Sequence, residues 1–216
     1  MALAKTLYFI RHGETDWNAE RRMQGQRESD LTARGREQAE GNAEAAAALG
    51  VDAIYASPLR RARHSAEALS RRTGLAIAFD DRLKEWSAGD WSGFLYEEIP
   101  AQWPQEWATW RAVMWSYRPP GAENFEDLVN RGTAFLDDIL DTDAPAIAVV
   151  SHGFIGRAMM SVLAGMAPAD AMRLKTANDV FFRFRRSGDT WIADRFENGE
   201  GPLRGLYEQG EASRIA

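Results

Sequence analysis

The chain predicts an α/β fold: a three-layer sandwich whose mostly parallel central sheet carries helices on both faces, with a C-terminal β-hairpin and a helical, tryptophan-rich insertion. Three observations predict it. Short apolar runs alternate with helical stretches from Leu7 to Leu163, the pattern of strand–helix units. Two strand-like runs flank a tight turn near the end. The rhythm breaks once, from Trp86 to Trp115, where six of the eight tryptophans lie.

Leu7–Ile10, Ala53–Ala56, Leu75–Phe79 and Ala146–Val150 read as strands. Thr32–Leu49 is rich in Ala and Glu and stops at Gly50, a helix with its C-terminal signal. Ser57-Pro58 reads as an N-cap and first helical position for the next helix. Glu123–Leu140 and Phe154–Leu163 are also helical. Val180–Arg186 and Thr190–Phe196 flank Ser187-Gly188-Asp189 as a hairpin. The tail after Asn198, rich in Gly and Glu, reads as loose. In the interrupting segment, Trp103, Trp107, Trp110 and Met114 fall at helical spacing with Pro104 suited to the first turn. A small satellite core is the simpler reading of these rings, a ligand-facing stripe the other, and both can hold for different tryptophans. The 216 residues read as a single domain, with about 86–122 as a lid over the strand ends.

Composition narrows the chemistry. The formal charge is −6, so nucleic acid is not expected as a partner, although a local basic pocket fits within that total. There is no cysteine, which removes disulfides, thiolate catalysis and thiolate metal sites. No apolar run approaches the roughly 20 residues that span a bilayer, so no membrane partner is expected. Met1–Lys5 leads into the first strand without a signal segment, and a cytoplasmic location is the default reading. Oligomeric state is not legible.

The residues that carry chemistry fall at strand ends, where parallel α/β sheets bind ligands. Arg11-His12-Gly13-Glu14-Thr15 follows the first strand. Such a histidine offers a nucleophilic nitrogen for phosphorus. The arginine offers forked donors for phosphate oxygens, and the glycine permits close backbone approach. Arg61 lies in the first turn after the second strand, Glu85 shortly after the third, and His152 after the fourth. Two of the three histidines thus meet one sheet edge. The third, His64, lies within a helix and reads as solvated or packing. Glu14 is either a second carboxylate of the site or a strut for its loop.

With these motifs in order, the chain resembles the histidine phosphatase superfamily, the phosphoglycerate-mutase-like group. The resemblance rests on Arg11–Thr15, on Asn18 and Arg22-Met23-Gln24-Gly25, and on Leu31-Thr32 with Gly35. It continues through Ser57–Ala62, Leu83-Lys84-Glu85 with Gly89–Gly93, Val150–Gly153 and Asn178, covering about residues 5 to 197. Phe154 departs from the pattern where a second glycine is common. Pro119–Asn124 matches the phosphatase branch imperfectly.

The resemblance implies a two-step phosphoryl transfer through a phosphohistidine on His12. Arg11, Arg61 and His152 would clamp the phosphate in place of metal ions. Asn18, Gln24 and the backbone at Gly25 and Gly153 would add substrate contacts. Glu85 would act as acid, then base. No metal and no cofactor are implied, and the implied partner is a small-molecule phosphomonoester. Hydrolysis is the leading reading, because the insertion is rich in tryptophan and carries only Arg111 and Arg118 as cations. Phosphoglycerate mutase is the alternative, using the same residues. A non-catalytic phospho-ligand module is the third, and His12 with Glu85 argues against it. Aromatic walls predict better hydrolysis of bulky or aromatic phosphomonoesters than of 3-phosphoglycerate.

Overall fold

The computed structural model describes residues 5–207. The reading of Met1–Ala4 as a direct lead into the first strand, and of the tail beyond Tyr207 as loose, lies outside the described residues. One mixed sheet of seven strands has the order β3-β2-β4-β1-β5-β6-β7. The first four in the chain are β1 (Thr6–Arg11), β2 (Ala53–Ala56), β3 (Ile77–Phe79) and β4 (Ala146–Ser151), all mutually parallel where they pair. β5 (Val180–Ser187), β6 (Thr190–Glu197) and β7 (Glu200–Arg204) continue the sheet antiparallel.

The alternation of side chains along the strands builds both outer layers. Leu7 and Phe9 of β1 and Ile147 and Val149 of β4 face one core; Tyr8, Ile10, Ala148 and Val150 face the other. After the single turn α1 (Asp16–Ala19), α2 (Ala33–Ala48) and α3 (Arg60–Thr73) cover the second face with small residues such as Ala43, Ala46 and Ala66. The insertion contributes α4 (Ile99–Gln102) and α5 (Pro104–Ala112). α6 (Phe125–Leu140) and α7 (Gly153–Ala164) cover the first face with Phe135, Leu136, Ile155 and Met159, and the short α8 (Pro168–Ala171) follows. α6 starts at a reciprocal cap between Asn124 and Asp127. Among the described residues no helix is long and apolar enough to cross a membrane.

Four sequence expectations change. Ser57 does not cap α3, which begins at Arg60 behind Leu59 with no side-chain cap; the Ser57 hydroxyl is used elsewhere. β3 is shorter than the Leu75–Phe79 run, because Gly74 ends α3 in a left-handed turn and Leu75 completes it. Glu200–Arg204 is a strand, not a loose tail. It is exposed throughout and held by backbone pairing to β6, which leaves no apolar alternation to read. The tryptophans do not form a satellite: Trp86, Trp91 and Trp110 are buried in one cluster with Phe135 and Met159 of α6 and α7.

Candidate active site

β1 and β4 pair in register through Arg11 and Ser151, and the His12 N–H then donates to the Ser151 carbonyl (3.1 Å). The chain leaves β1 towards α2 on one face and β4 towards α7 on the other. His12 and His152 therefore flank a point where the strand order switches, the usual ligand crevice of an open α/β sheet. Their rings lie 5.0 Å apart.

The loop after β1 is fixed by close contact. A Cβ on Gly13 would sit 1.9 Å from the Gly35 carbonyl oxygen, and one on Gly35 would sit 1.9 Å from that of Glu14, so only glycine fits at either position. Glu14 is a strut: its carboxylate accepts from the Thr32 hydroxyl (2.9 Å) and its N–H donates to Gln38 Oε1 (2.9 Å). Asn178 Nδ2 donates to the His12 carbonyl (2.7 Å). The His12 Nδ1–H donates to the Gly13 carbonyl (2.7 Å), which fixes the tautomer and leaves Nε2 as a lone pair.

Arg61 is the hub. Its Nε–H is shared between His12 Nε2 (3.3 Å) and His152 Nδ1 (3.2 Å). Its Nη1 and Nη2 donate to the carbonyls of Arg27 (2.9 Å) and Gly25 (2.7 Å). With its nitrogen donating to Thr15 Oγ1 (3.2 Å), the Gln24 amide accepts from Arg61 Nη1 (3.1 Å), so Gln24 braces the guanidinium as well as lining the cleft. His152 Nε2–H donates to Ser57 Oγ (2.8 Å), the use that displaces Ser57 from capping. Asn18 Oδ1 accepts from the Thr15 N–H (3.2 Å), closing the cap of α1 while the residue faces the cleft.

Burial, then the charges of Arg61 and Arg11, hold the His12 imidazole well below its ordinary value of 6.5. Burial and Arg61 do the same for His152. Arg61 itself is pushed down to about 10, mainly by burial. Two neutral imidazoles around one cation result.

Glu85 closes the cleft from the other side. Its Oε1 accepts from the N–H groups of Trp86 (2.9 Å), Phe154 (3.1 Å) and Ile155 (3.3 Å), and so ties the carboxylate to the start of α7. Gly153 keeps this corner open, since a Cβ there would lie 3.4 Å from Thr176 Oγ1 and from Arg157 Nη1.

Arg11, His12, Asn18, Gln24, Gly25, Arg61, Glu85 and Gly153 all line one cleft of about 580 Å³. His152 does not reach its wall; it lies behind Arg61. Arg11 Nη1 donates to the Thr176 carbonyl (2.5 Å), and its buried Nε has no partner. His64 is exposed on α3. Sequence reasoning missed Arg157, which lines the cleft, donates Nε–H to the Leu174 carbonyl (2.8 Å) and is pushed by burial and Arg11 down to about 10. The available signal was a lone charge inside the apolar helix Gly153–Ala164. It also missed Arg21 and Tyr96, which line the cleft with Arg22, Trp86, Trp110 and Arg111. Counting the cations of the insertion alone understated how basic the mouth is. Among the described residues no cluster of three His, Asp or Glu could hold a metal ion.

The sequence profile of the histidine phosphatase superfamily (branch 1) matches residues 7–199. A protein of Shigella boydii named probable phosphoglycerate mutase GpmB is 34% identical over 192 residues, 87% of either chain. The mycobacterial glucosyl-3-phosphoglycerate phosphatase is 30% identical, with a TM-score of 0.80 over 90% of this chain and 99% of that one. Bacillus stearothermophilus YhfR is also 30% identical, with a TM-score of 0.79 over 87% of this chain and 94% of its own.

Proposed function

The chain belongs to the histidine phosphatase superfamily (branch 1), and from that membership we propose that it is a metal-independent phosphomonoester hydrolase acting through a phosphohistidine on His12. The observation that carries this reading is the lone pair on His12 Nε2, held neutral and aimed at a cationic cleft with Glu85 opposite. A phosphate dianion entering beside Arg11, Arg61 and Arg157 has its charge met by guanidiniums where other enzymes use metal ions. The Arg61 Nε–H has a second acceptor in His152, so His12 can release it at small cost and turn its lone pair on phosphorus.

The first step forms the bond from Nε2 to phosphorus and breaks the bond to the ester oxygen. Glu85 gives that oxygen a proton. In the second step Glu85 takes a proton from water, which attacks phosphorus; the bond from phosphorus to Nε2 breaks, its electron pair returns to the ring, and inorganic phosphate leaves. His152, neutral behind Arg61, keeps the Arg61 Nε–H on its Nδ1 while His12 turns to phosphorus, and so holds the guanidinium in place.

The walls point to the substrate class. The half-buried Trp17 and Phe154 offer apolar surface to the group bearing the phosphate, and the buried Trp86 and Trp110 back that wall. Each well-packed aromatic contact is worth about 1 kcal/mol, which favours bulky or aromatic small-molecule phosphomonoesters over 3-phosphoglycerate. The mutase reading keeps one observation on its side: Arg21 and Arg111 at the mouth suit a leaving group with a second negative charge. The relatives include proteins named for either reaction.

A panel of phosphomonoesters, run with a chelator beside an assay for interconversion of 2- and 3-phosphoglycerate, separates the readings. Inorganic phosphate released fastest from bulky esters supports hydrolysis. Phosphoglycerate interconversion faster than phosphate release overturns it, and binding without turnover would leave a recognition module.

A further inference from the structure

Glu85 sits in a stretch that no sheet ladder holds. One-turn 3-10 helices at Asp81–Leu83 and Gly89–Trp91 flank it. Its carboxylate is tied to the start of α7, but the backbone that delivers it is held by a half-buried ion pair outside the cleft. Arg131 of α6 donates Nη1–H to the carbonyl of Arg82 and to that of Lys84 (2.7 Å), and Nη2–H to that of Glu85 itself (3.2 Å). Its Nε and Nη2 donate to the Glu123 carboxylate at 3.0 and 3.1 Å. Glu123 holds the residues on the other side. Its Oε2 accepts from the Ser87 N–H (2.8 Å), its carbonyl accepts from Trp86 Nε1 (2.5 Å), and its own N–H donates to the Ser87 carbonyl (3.0 Å). The side chains of Arg131 and Glu123 are 17% and 23% exposed, so this pair is little screened. Gln26 Nε2 adds one exposed bond to the Glu85 carbonyl (2.9 Å).

We propose that Arg131, through its ion pair with Glu123, is the positioning residue for the Glu85 carboxyl and acts on the proton-transfer part of the reaction. Resting on the reading of Glu85 as acid, this places a specific kinetic duty on a residue that does not line the cleft. The physical case is one of geometry. A proton donor works only within hydrogen-bond reach of the departing oxygen. The guanidinium fork spans the carbonyls of Arg82, Lys84 and Glu85 and a carboxylate at once. A lysine ammonium, a point charge on a flexible stem, cannot reproduce that fork. Without it the backbone of Arg82–Glu85 keeps the same charge nearby but loses its register against α6. The phosphate clamp of Arg11, Arg61 and His12 is carried by β1, α3 and their loops, and is untouched.

The test compares two substrates that differ in their need for a proton: glycerol 2-phosphate, whose alkoxide must be protonated, and p-nitrophenyl phosphate, whose phenolate leaves unaided. Arg131→Lys and Glu123→Gln are each made in the native protein and in Glu85→Gln. The readout is kcat/KM, which reports the steps through phosphorylation of His12. Each variant should lower kcat/KM for glycerol 2-phosphate at least about tenfold more than for p-nitrophenyl phosphate, within the range of a lost general acid. In the Glu85→Gln background neither should cause a further selective loss. Concentrations are corrected by titrating active sites as phosphoenzyme, so partial unfolding does not enter. Should Arg131→Lys fail to fold, Glu123→Gln, which keeps shape and removes the charge, carries the same expectation. Equal losses on both substrates, or losses that multiply with Glu85→Gln, overturn the proposal. If Glu85→Gln itself shows no dependence on the leaving group, the acid assignment falls and takes this inference with it. If it does while the Arg131 and Glu123 variants do not, this inference alone falls.

Discussion

Lowering the pH through the ordinary range of histidine should destabilise this fold by an amount set by two side chains. His12 and His152 are 3% and 2% exposed. Burial first, and Arg61 next, hold both imidazoles well below 6.5. In the unfolded chain they regain a value near 6.5. Below that pH the unfolded state binds protons that the folded state refuses. Stability is therefore full above 6.5 and is lost as pH falls through it. Between about pH 7.5 and about pH 5.5, proton uptake by one such unfolded imidazole costs the fold about 1.4 kcal/mol, and the pair about 3 kcal/mol. Denaturant unfolding at both pH values measures the difference. His12→Gln and His152→Gln should each remove about half of it, and the double variant nearly all of the histidine share. Comparing each variant with itself at two pH values cancels any overall destabilisation. The same pH dependence in the native protein and the double variant would refute the claim that both rings are neutral in the fold.

Three further outcomes follow from the geometry. Trp110→Ala, which opens the ring stack with Trp86 and Trp107, should cost about 3–5 kcal/mol in denaturant unfolding and raise KM mainly for bulky esters. Arg157→Met keeps the bulk and removes a cation from the cleft wall; it should raise KM for phosphomonoesters about tenfold or more, and an unchanged KM would place Arg157 outside substrate contact. Exhaustive chelation should leave hydrolysis intact while vanadate inhibits competitively, and activity recovered only by adding a divalent ion would contradict the guanidinium clamp.

Much of the molecule was legible because local pattern and global fold agree. Strand ends alone place Arg11–His12 and Ser151–His152 on one edge, and β1 and β4 are adjacent and in register there. The spacing of Trp103, Trp107 and Trp110 marked α5, although Met114 falls beyond its end at Ala112. What could not be read was settled by long-range contact. Nothing local says that Ser57 faces His152, that Gln24 braces Arg61, or that the exposed Glu200–Arg204 pairs with β6. Arg21 and Arg22 lie far in sequence from the insertion whose wall they share, so the basic mouth emerges only in three dimensions. The tryptophans joined the main core because the insertion packs on α6 and α7, an interface that helical spacing alone does not specify.

The central claim is that His12 carries the phosphoryl group. Rapid acid-free quenching of the protein mixed with a phosphorus-labelled monoester, followed by peptide mapping, tests it directly. The account predicts a label on His12 that is stable to alkali and lost in acid, formed and discharged at rates that support turnover, and absent in His12→Ala. A label on a serine or aspartate, or turnover by His12→Ala close to that of the native protein, would contradict it.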